Sequence, residues 1–126
     1  MRLNQVTVPA LDVVKSVAFY KTLGMRLIVE SPHYARFELP DGEGTFSIHL
    51  VTDAGRVPEG TGIYFECDDL DTRVATLKAQ GIAFEHDPVD QSWLWREAWL
   101  TGPAGERLCF YKAGEARRYP PWRVKD

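Results

Sequence analysis

Residues Asn4–Gly24, NQVTVPALDVVKSVAFYKTLG, read as a short strand, an aspartate able to start a helix, an amphipathic helix and a glycine that ends it. The same order returns in Thr61–Gly81, TGIYFECDDLDTRVATLKAQG. Asp12 matches Asp69 and Gly24 matches Gly81, each pair 57 positions apart. A unit repeated in so short a chain implies two tandem copies that bury faces neither can cover alone.

Around the first copy, Leu3–Val8 alternates apolar with polar residues and is expected to end at Pro9, which cannot donate a ladder bond. Asp12 caps a helix whose inner face carries Val13, Val17, Tyr20 and Gly24, widened by Val14 and Phe19. Gly24 supplies the left-handed residue at its end. Strand patterns follow at Met25–Glu30, Tyr34–Leu39 and Thr45–Val51, with the turn residues Pro40–Gly44 before the last. Thr52–Gly60 connects the copies. The second copy repeats the scheme: a strand at Gly62–Cys67, and a helix capped by Asp68 or Asp69 with Leu70, Val74 and Leu77 on one stripe. Beyond Gly81 come a strand at Ile82–Glu85, a polar loop at Asp87–Ser92, and strands at Trp93–Leu100 and Glu106–Tyr111 flanking the turn Gly102–Gly105.

Each half is therefore strand, helix and three strands. The expected fold class is α+β, two tandem βαβββ modules in one domain spanning 1–126. Module one covers 1–52, the linker 53–60, module two 61–112 and a C-terminal tail 113–126. One helix covers one face of a four-stranded sheet, so the other face must bury against the second copy. The expected product is an incomplete eight-stranded barrel around a cavity.

A hydrophobic content of 44% over 126 residues supports a folded core without staples. The net charge of −3 carries no electrostatic footprint for nucleic acid. Cys67 and Cys109 lack metal spacing and read as reduced, buried thiols. No apolar run is long enough for a membrane helix, and Met1-Arg2-Leu3 opens no signal peptide. These features are those of a soluble cytoplasmic protein. Tyr119, Pro120, Pro121 and Trp122 in the tail suggest an extended segment that lies on a surface, of this chain or of a partner.

Val6-Thr7-Val8, Asp12, Ser16, Phe19-Tyr20 and Leu23-Gly24 resemble the first module of the vicinal-oxygen-chelate superfamily, also labelled glyoxalase/bleomycin-resistance/dioxygenase. Gly102-Pro103-Ala104-Gly105-Glu106-Arg107 is similar to its DPxGN turn before the last strand. The resemblance implies paired βαβββ modules, a homodimer, and in the family's enzymes a divalent metal held by His, Gln or Glu. There the metal acts as a Lewis acid on a substrate with two adjacent oxygens, or activates dioxygen. Carried over by position, the ligand places fall on Gln5, His49, Gly62 and Cys109. Gly62 has no side chain, and a glutamine, a histidine and a thiol suit a hard cation poorly. Gln5 and His49 remain the candidate ligands of any divalent ion, and no cofactor is expected with the site so reduced.

Strand alternation puts Tyr64 and Glu66 on the face of Gly62, and Trp93, Trp95, Glu97 and Trp99 on one face of the seventh strand. A His49–Glu66–Glu97 set would suit a metal; solvated or paired carboxylates are the commoner outcome. His33 and His86 lie beside loops and read as surface residues. Three readings follow. One is a small-molecule-binding protein whose Trp93 and Trp95 stack on a flat ligand while Arg96 or Glu97 fixes its polar ends. The same tryptophans would equally suit a core or a dimer interface. The second is a metal-dependent lyase or isomerase of glyoxalase type, or a dioxygenase, using Gln5 and His49; without metal, His49 is the candidate catalytic acid or base. The third is a structural or regulatory dimer.

Overall fold

The structure is a computed structural model that describes residues 1–56 and 60–125. The contacts of the chain divide it into two compact units, Met1–Thr61 with Thr101–Glu106, and Gly62–Leu100 with Arg107–Asp126. The fold is α+β, with two tandem βαβββ modules.

In the first unit, β1 (Gln5–Ala10) leads to α1 (Val13–Thr22), then β2 (Arg26–Ser31), β3 (Tyr34–Glu38) and β4 (Thr45–Leu50). The sheet order is β1-β4-β3-β2. β1 runs parallel to β4, and β3 is antiparallel to both its neighbours. Asp12 caps α1 by accepting the Lys15 amide at 3.0 Å, satisfying one of the free donors of the first turn. Gly24 takes φ +104° beyond the helix, a conformation that costs a side-chain-bearing residue about 1 kcal/mol or more. Val13, Ser16 and Tyr20 form the buried stripe of α1. Tyr20 packs against Phe46 and Phe37 at ring distances of 4.6 and 5.9 Å. Val8, Ala35 and Ile48 complete this core.

Two expectations shift here. β1 continues through Pro9 to Ala10, because it is the edge strand of its sheet, where a missing amide donor is tolerated. Val14 is 80% exposed and the inner position belongs to Ser16, since the helical stripe passes through 13, 16 and 20.

In the second unit, β5 (Gly62–Glu66) leads to α2 (Leu70–Ala79), β6 (Val89–Asp90), β7 (Arg96–Thr101) and β8 (Arg107–Lys112). The order β5-β8-β7-β6 repeats that of the first sheet, with β5 parallel to β8. Leu70, Val74 and Leu77 are the buried stripe of α2 as expected. They share a core with Leu100, Leu108 and Phe110, and Phe65 and Phe84 meet Phe110 edge-on at 5.6 and 5.9 Å. Burying each such large side chain contributes roughly 1.5–3 kcal/mol.

The strand expected at Ile82–Glu85 does not form; the segment is tied instead by the Ile82 amide to the Leu77 carbonyl at 3.0 Å and by the Glu85 amide to the Trp99 carbonyl at 2.8 Å. The first strand after α2 is β6, inside the expected polar loop. β7 begins at Arg96 rather than Trp93, because Gln91–Trp95 closes a turn with Leu94 at φ +69°. Asp69 stands at the start of α2 without a side-chain cap and pairs with Arg73 at 3.4 Å instead. Cys67 and Cys109 are buried and form no disulfide, as expected. In the tail, Arg117 approaches Glu66 at 3.9 Å, while Tyr119 and Trp122 are 56% and 57% exposed. The expected docking of those two rings is therefore not made on this chain. Among the described residues no helix is long and apolar enough to cross a membrane.

Candidate functional site

The register of β5 with β8 sorts the second sheet into two faces. Ile63 and Phe65 pair with Leu108 and Phe110 toward α2; Gly62, Tyr64 and Glu66 pair with Arg107, Cys109 and Tyr111 on the other face. Glu97 and Trp99 join this second face from β7. The Trp99 indole Nε1 donates to Glu97 Oε1 at 3.0 Å, and the Trp93 Nε1 donates to Oε2 at 2.7 Å. Trp93 reaches back because the left-handed Leu94 turns the chain just ahead of β7. Glu97 is only 3% exposed, and a buried carboxylate needs such charge-assisted donors.

Aromatic rings cover the face. Tyr64 stands edge-on to Trp99, Tyr111 and Trp95 at 5.3, 5.7 and 5.8 Å. Trp95 and Tyr111 stack at 4.7 Å with 19° between planes. The Arg107 guanidinium lies over Trp99 at 4.8 Å, and Arg107 is also paired with Glu85. Tyr64 and Trp93 remain 47% and 44% exposed, so the face keeps open ring surface. Burial raises the Tyr64 phenol, reinforced by the charges of Cys109 and Glu97. Burial likewise pushes the Cys109 thiol up to about 12, with Glu97 adding to the shift. Both stay protonated near neutrality.

The reason for glycine at position 62 is now visible. A Cβ there would lie 3.0 and 3.3 Å from Trp99 Cη2 and Cζ3, and 3.3 Å from Tyr64 Cε2. The Trp99 ring occupies the space a side chain at 62 would fill.

The structure brings Trp93, Trp95, Glu97, Tyr64 and Cys109 onto one face, with Glu66 at its margin beside Arg117. Arg96 lies on the opposite face, where it forks to Asp71 of α2 at 2.9 and 3.3 Å and reaches Asp90 at 3.2 Å. Tyr111 and Arg107 were not singled out in the sequence, although each is two positions from Cys109 and so shares its face.

In the first sheet, Gln5 pairs with Thr45, Thr7 with Ser47, and Pro9 with His49. Gln5 Oε1 accepts the Thr45 hydroxyl at 2.8 Å, and Thr7 and Ser47 share a 2.6 Å hydrogen bond. Gln5 and His49 are thus four register steps apart, roughly 13 Å along the strands, and do not converge. Shifting β1 onto β5 aligns Thr7 with Tyr64, so Ser47 is the counterpart of Cys109 and Tyr111 that of His49. His49 is exposed at the end of β4, His33 is exposed as expected, and His86 is half-buried.

A family model described as the glyoxalase/bleomycin resistance protein/dioxygenase superfamily matches residues 2–110. The chain belongs to this superfamily. Among solved structures, it is similar to a glyoxalase/bleomycin resistance protein/dioxygenase from Nocardioides, at 25% identity and TM-score 0.78, covering 99% of this chain and 90% of that one. A bleomycin-binding protein complexed with bleomycin matches at 20% identity and TM-score 0.73, covering 89% of this chain and 98% of that one. Lactoylglutathione lyase from Agrobacterium tumefaciens matches at 16% identity and TM-score 0.72, covering 88% and 92%. No curated protein matches the chain.

The divalent metal that the superfamily implies does not fit the side chains present. Gln5 and His49 are separated by register, and position 62 offers no donor. Cys109 holds its proton, and both Glu97 oxygens already accept indole N–H groups. Among the described residues no three His, Cys, Asp or Glu side chains come close enough to share an ion.

Proposed function

We propose that this superfamily member binds a small, flat organic ligand on the open face of its second sheet, without the superfamily's full metal set. The observation that carries the reading is Glu97, a buried carboxylate held between two indole N–H groups beneath the Tyr64–Trp95–Trp99–Tyr111 cluster. Exposed ring surface at Tyr64 and Trp93 supplies stacking area, worth about 0.5–1.5 kcal/mol per ring pair beyond the area buried. The bleomycin-binding relative supports small-molecule binding as the use of this fold.

Quenching of tryptophan fluorescence by a panel of flat aromatic and dicarbonyl compounds tests the reading. Saturable quenching that weakens at least tenfold in Tyr64→Ala is expected; absence of saturation with every compound would refute it. Metal analysis of protein purified without chelator addresses the second reading, a metal-dependent lyase, isomerase or dioxygenase using Gln5 and His49. That reading has support from the fold of the lactoylglutathione lyase. One tightly held divalent ion per chain, lost in His49→Ala, would sink the first reading. We extend the proposal to a cytoplasmic homodimer with no nucleic-acid or membrane partner; sedimentation of the purified protein checks the dimer.

A further inference from the structure

The open face of the first sheet holds a polar cluster unlike the rings of the second. Alternate residues of a strand share a face. The register sets Thr7, Ser47 and Arg36 side by side across β1, β4 and β3, with Pro9, His49 and Tyr34 in the next row. Ser47 is fully buried and shares a 2.6 Å hydrogen bond with Thr7.

Arg36 Nε donates to the Tyr34 hydroxyl oxygen at 2.9 Å, and the guanidinium carbon lies 5.4 Å from the centre of the Tyr34 ring. The Ser47 hydroxyl, with Arg36 adding to it, holds the Tyr34 phenol below its ordinary value of 10.0 against the opposing effect of burial. A hydrogen bond has that effect when it is donated to the phenol oxygen. Tyr34 therefore receives donors on its oxygen, and its own O–H is left for an acceptor from outside.

Arg36 is in a similar condition. A guanidinium carries five N–H donors in a planar fork, and Tyr34 takes the one on Nε. Those on the two Nη atoms meet no acceptor among the described residues. Arg73, Arg96, Arg107 and Arg117 each face a carboxylate, and Arg36 has no such ion pair. Arg36 is also half-buried and tied to Tyr34, so its fork is held in place before any ligand arrives. Such ordering in advance lowers the entropic cost of binding.

A planar fork beside an O–H matches a carboxylate, which takes two parallel N–H···O bonds. A phosphate group fits the same fork but carries a charge of about −1.5 to −2 near neutrality. Here there is one unpaired guanidinium, with Glu38 two positions along β3 on the same face. A single negative charge is the better match.

We propose that Arg36 and Tyr34 form a binding site for the carboxylate group of a small organic acid on the open face of the first sheet, with Ser47 holding the phenol in place. The site stands apart from the aromatic face of the second sheet: it uses none of those rings, and either site can fail without the other.

Sodium propionate is the probe, because it has a carboxylate and no ring to stack on Tyr64 or Trp93. The isotope-labelled full chain is titrated at constant ionic strength near neutrality and followed by two-dimensional NMR. A saturable shift of the Arg36 Nε–H signal is expected, with a dissociation constant in the millimolar range. Propionamide, the neutral counterpart, and inorganic phosphate should bind at least fivefold more weakly. Arg36→Gln should weaken propionate at least tenfold, read on the Ser47 backbone amide, and Tyr34→Phe at least threefold, while Tyr64→Ala leaves it unchanged. Signal dispersion shows whether each variant is folded, and Tyr34→Phe alone suffices should Arg36→Gln not fold. Absence of saturation in the parent, equal binding of propionamide, or unchanged affinity in either folded variant of this face would overturn the proposal. A preference for phosphate would overturn the assignment to a carboxylate.

Discussion

Gly62→Ala tests whether Trp99 has taken over the space at position 62. The added methyl would sit 3.0 Å from Trp99 Cη2 and 3.3 Å from both Trp99 Cζ3 and Tyr64 Cε2, inside the roughly 3.5–4.0 Å at which carbon atoms pack best. Trp99 cannot swing away freely, because its N–H is bonded to Glu97 and its ring is covered by Arg107 and Tyr64. Overpacking of this kind costs about 1–3 kcal/mol. Alanine restricts the unfolded chain more than glycine and returns about 0.4–1 kcal/mol. The net loss is therefore about 0.5–2 kcal/mol, a fall in the urea midpoint of roughly 0.3–1 M for a protein of this size. Urea unfolding followed by far-UV circular dichroism measures it. In a Trp99→Phe background the smaller ring withdraws from position 62, so the penalty of Gly62→Ala should shrink by at least about 0.5 kcal/mol. An alanine variant as stable as the parent, or one equally destabilised in both backgrounds, would refute the argument.

Asp12→Ala removes the cap on the Lys15 amide and should cost about 1 kcal/mol in thermal or urea unfolding. Asp69→Ala should cost less, since Asp69 caps nothing and makes only an exposed pair with Arg73. A thiol reagent at neutral pH should leave Cys109 unlabelled until the protein unfolds, because the group is buried and its proton is held up to about 12; rapid native-state labelling would contradict that placement. Glu106→Gln addresses pH dependence. Burial raises the Glu106 carboxyl above its ordinary value of 4.5, so its proton is favoured by folding. The stability it confers is complete below that ordinary value and is lost as pH rises through the higher folded-state value. The amide variant should show a flatter melting-temperature profile above about pH 4.5, and an unchanged slope would count against the burial described for this carboxyl.

The fold was legible because both copies write it in strong local chemistry. Asp12 and Gly24 bracket α1 by capping and left-handed exit, and the second copy repeats the glycine at 81. Weaker signals failed where tertiary context decides. Ile82–Glu85 has strand composition, but its one ladder bond goes to Trp99, and Val89–Asp90 pairs with β7 instead. Pro9 carries a local stop signal, and its tolerance at an edge depends on sheet order, which no local pattern reveals. Alternation placed Trp95, Glu97 and Trp99 together correctly, and the same alternation separates Arg96, whose partner Asp71 fixes it toward α2. That Glu97 is buried between two indoles was not legible, because Trp93 reaches it through a turn rather than a strand. That Glu106 faces Tyr20 was invisible for a plainer reason: the two lie far apart in the chain and meet only once it is folded.

The contrast between the two open faces gives the comparison of the copies its physical content. In the first sheet the positions at issue carry small polar groups that satisfy one another: Gln5 with Thr45, and Thr7 with Ser47. In the second, the aligned positions carry Gly62, Arg107, Tyr64 and Cys109, and the face is filled with rings around one carboxylate. These changes depend on each other. Trp99 fits only because position 62 has no side chain, Glu97 is buried only because Trp93 and Trp99 donate to it, and Cys109 keeps its proton because it is covered. Restoring a donor at position 62 would therefore not rebuild a metal centre, since the ring that fills the space and the carboxylate bonded to that ring would both have to move. The second sheet is a consistent alternative to a metal site, organised to present aromatic surface beside a fixed negative charge.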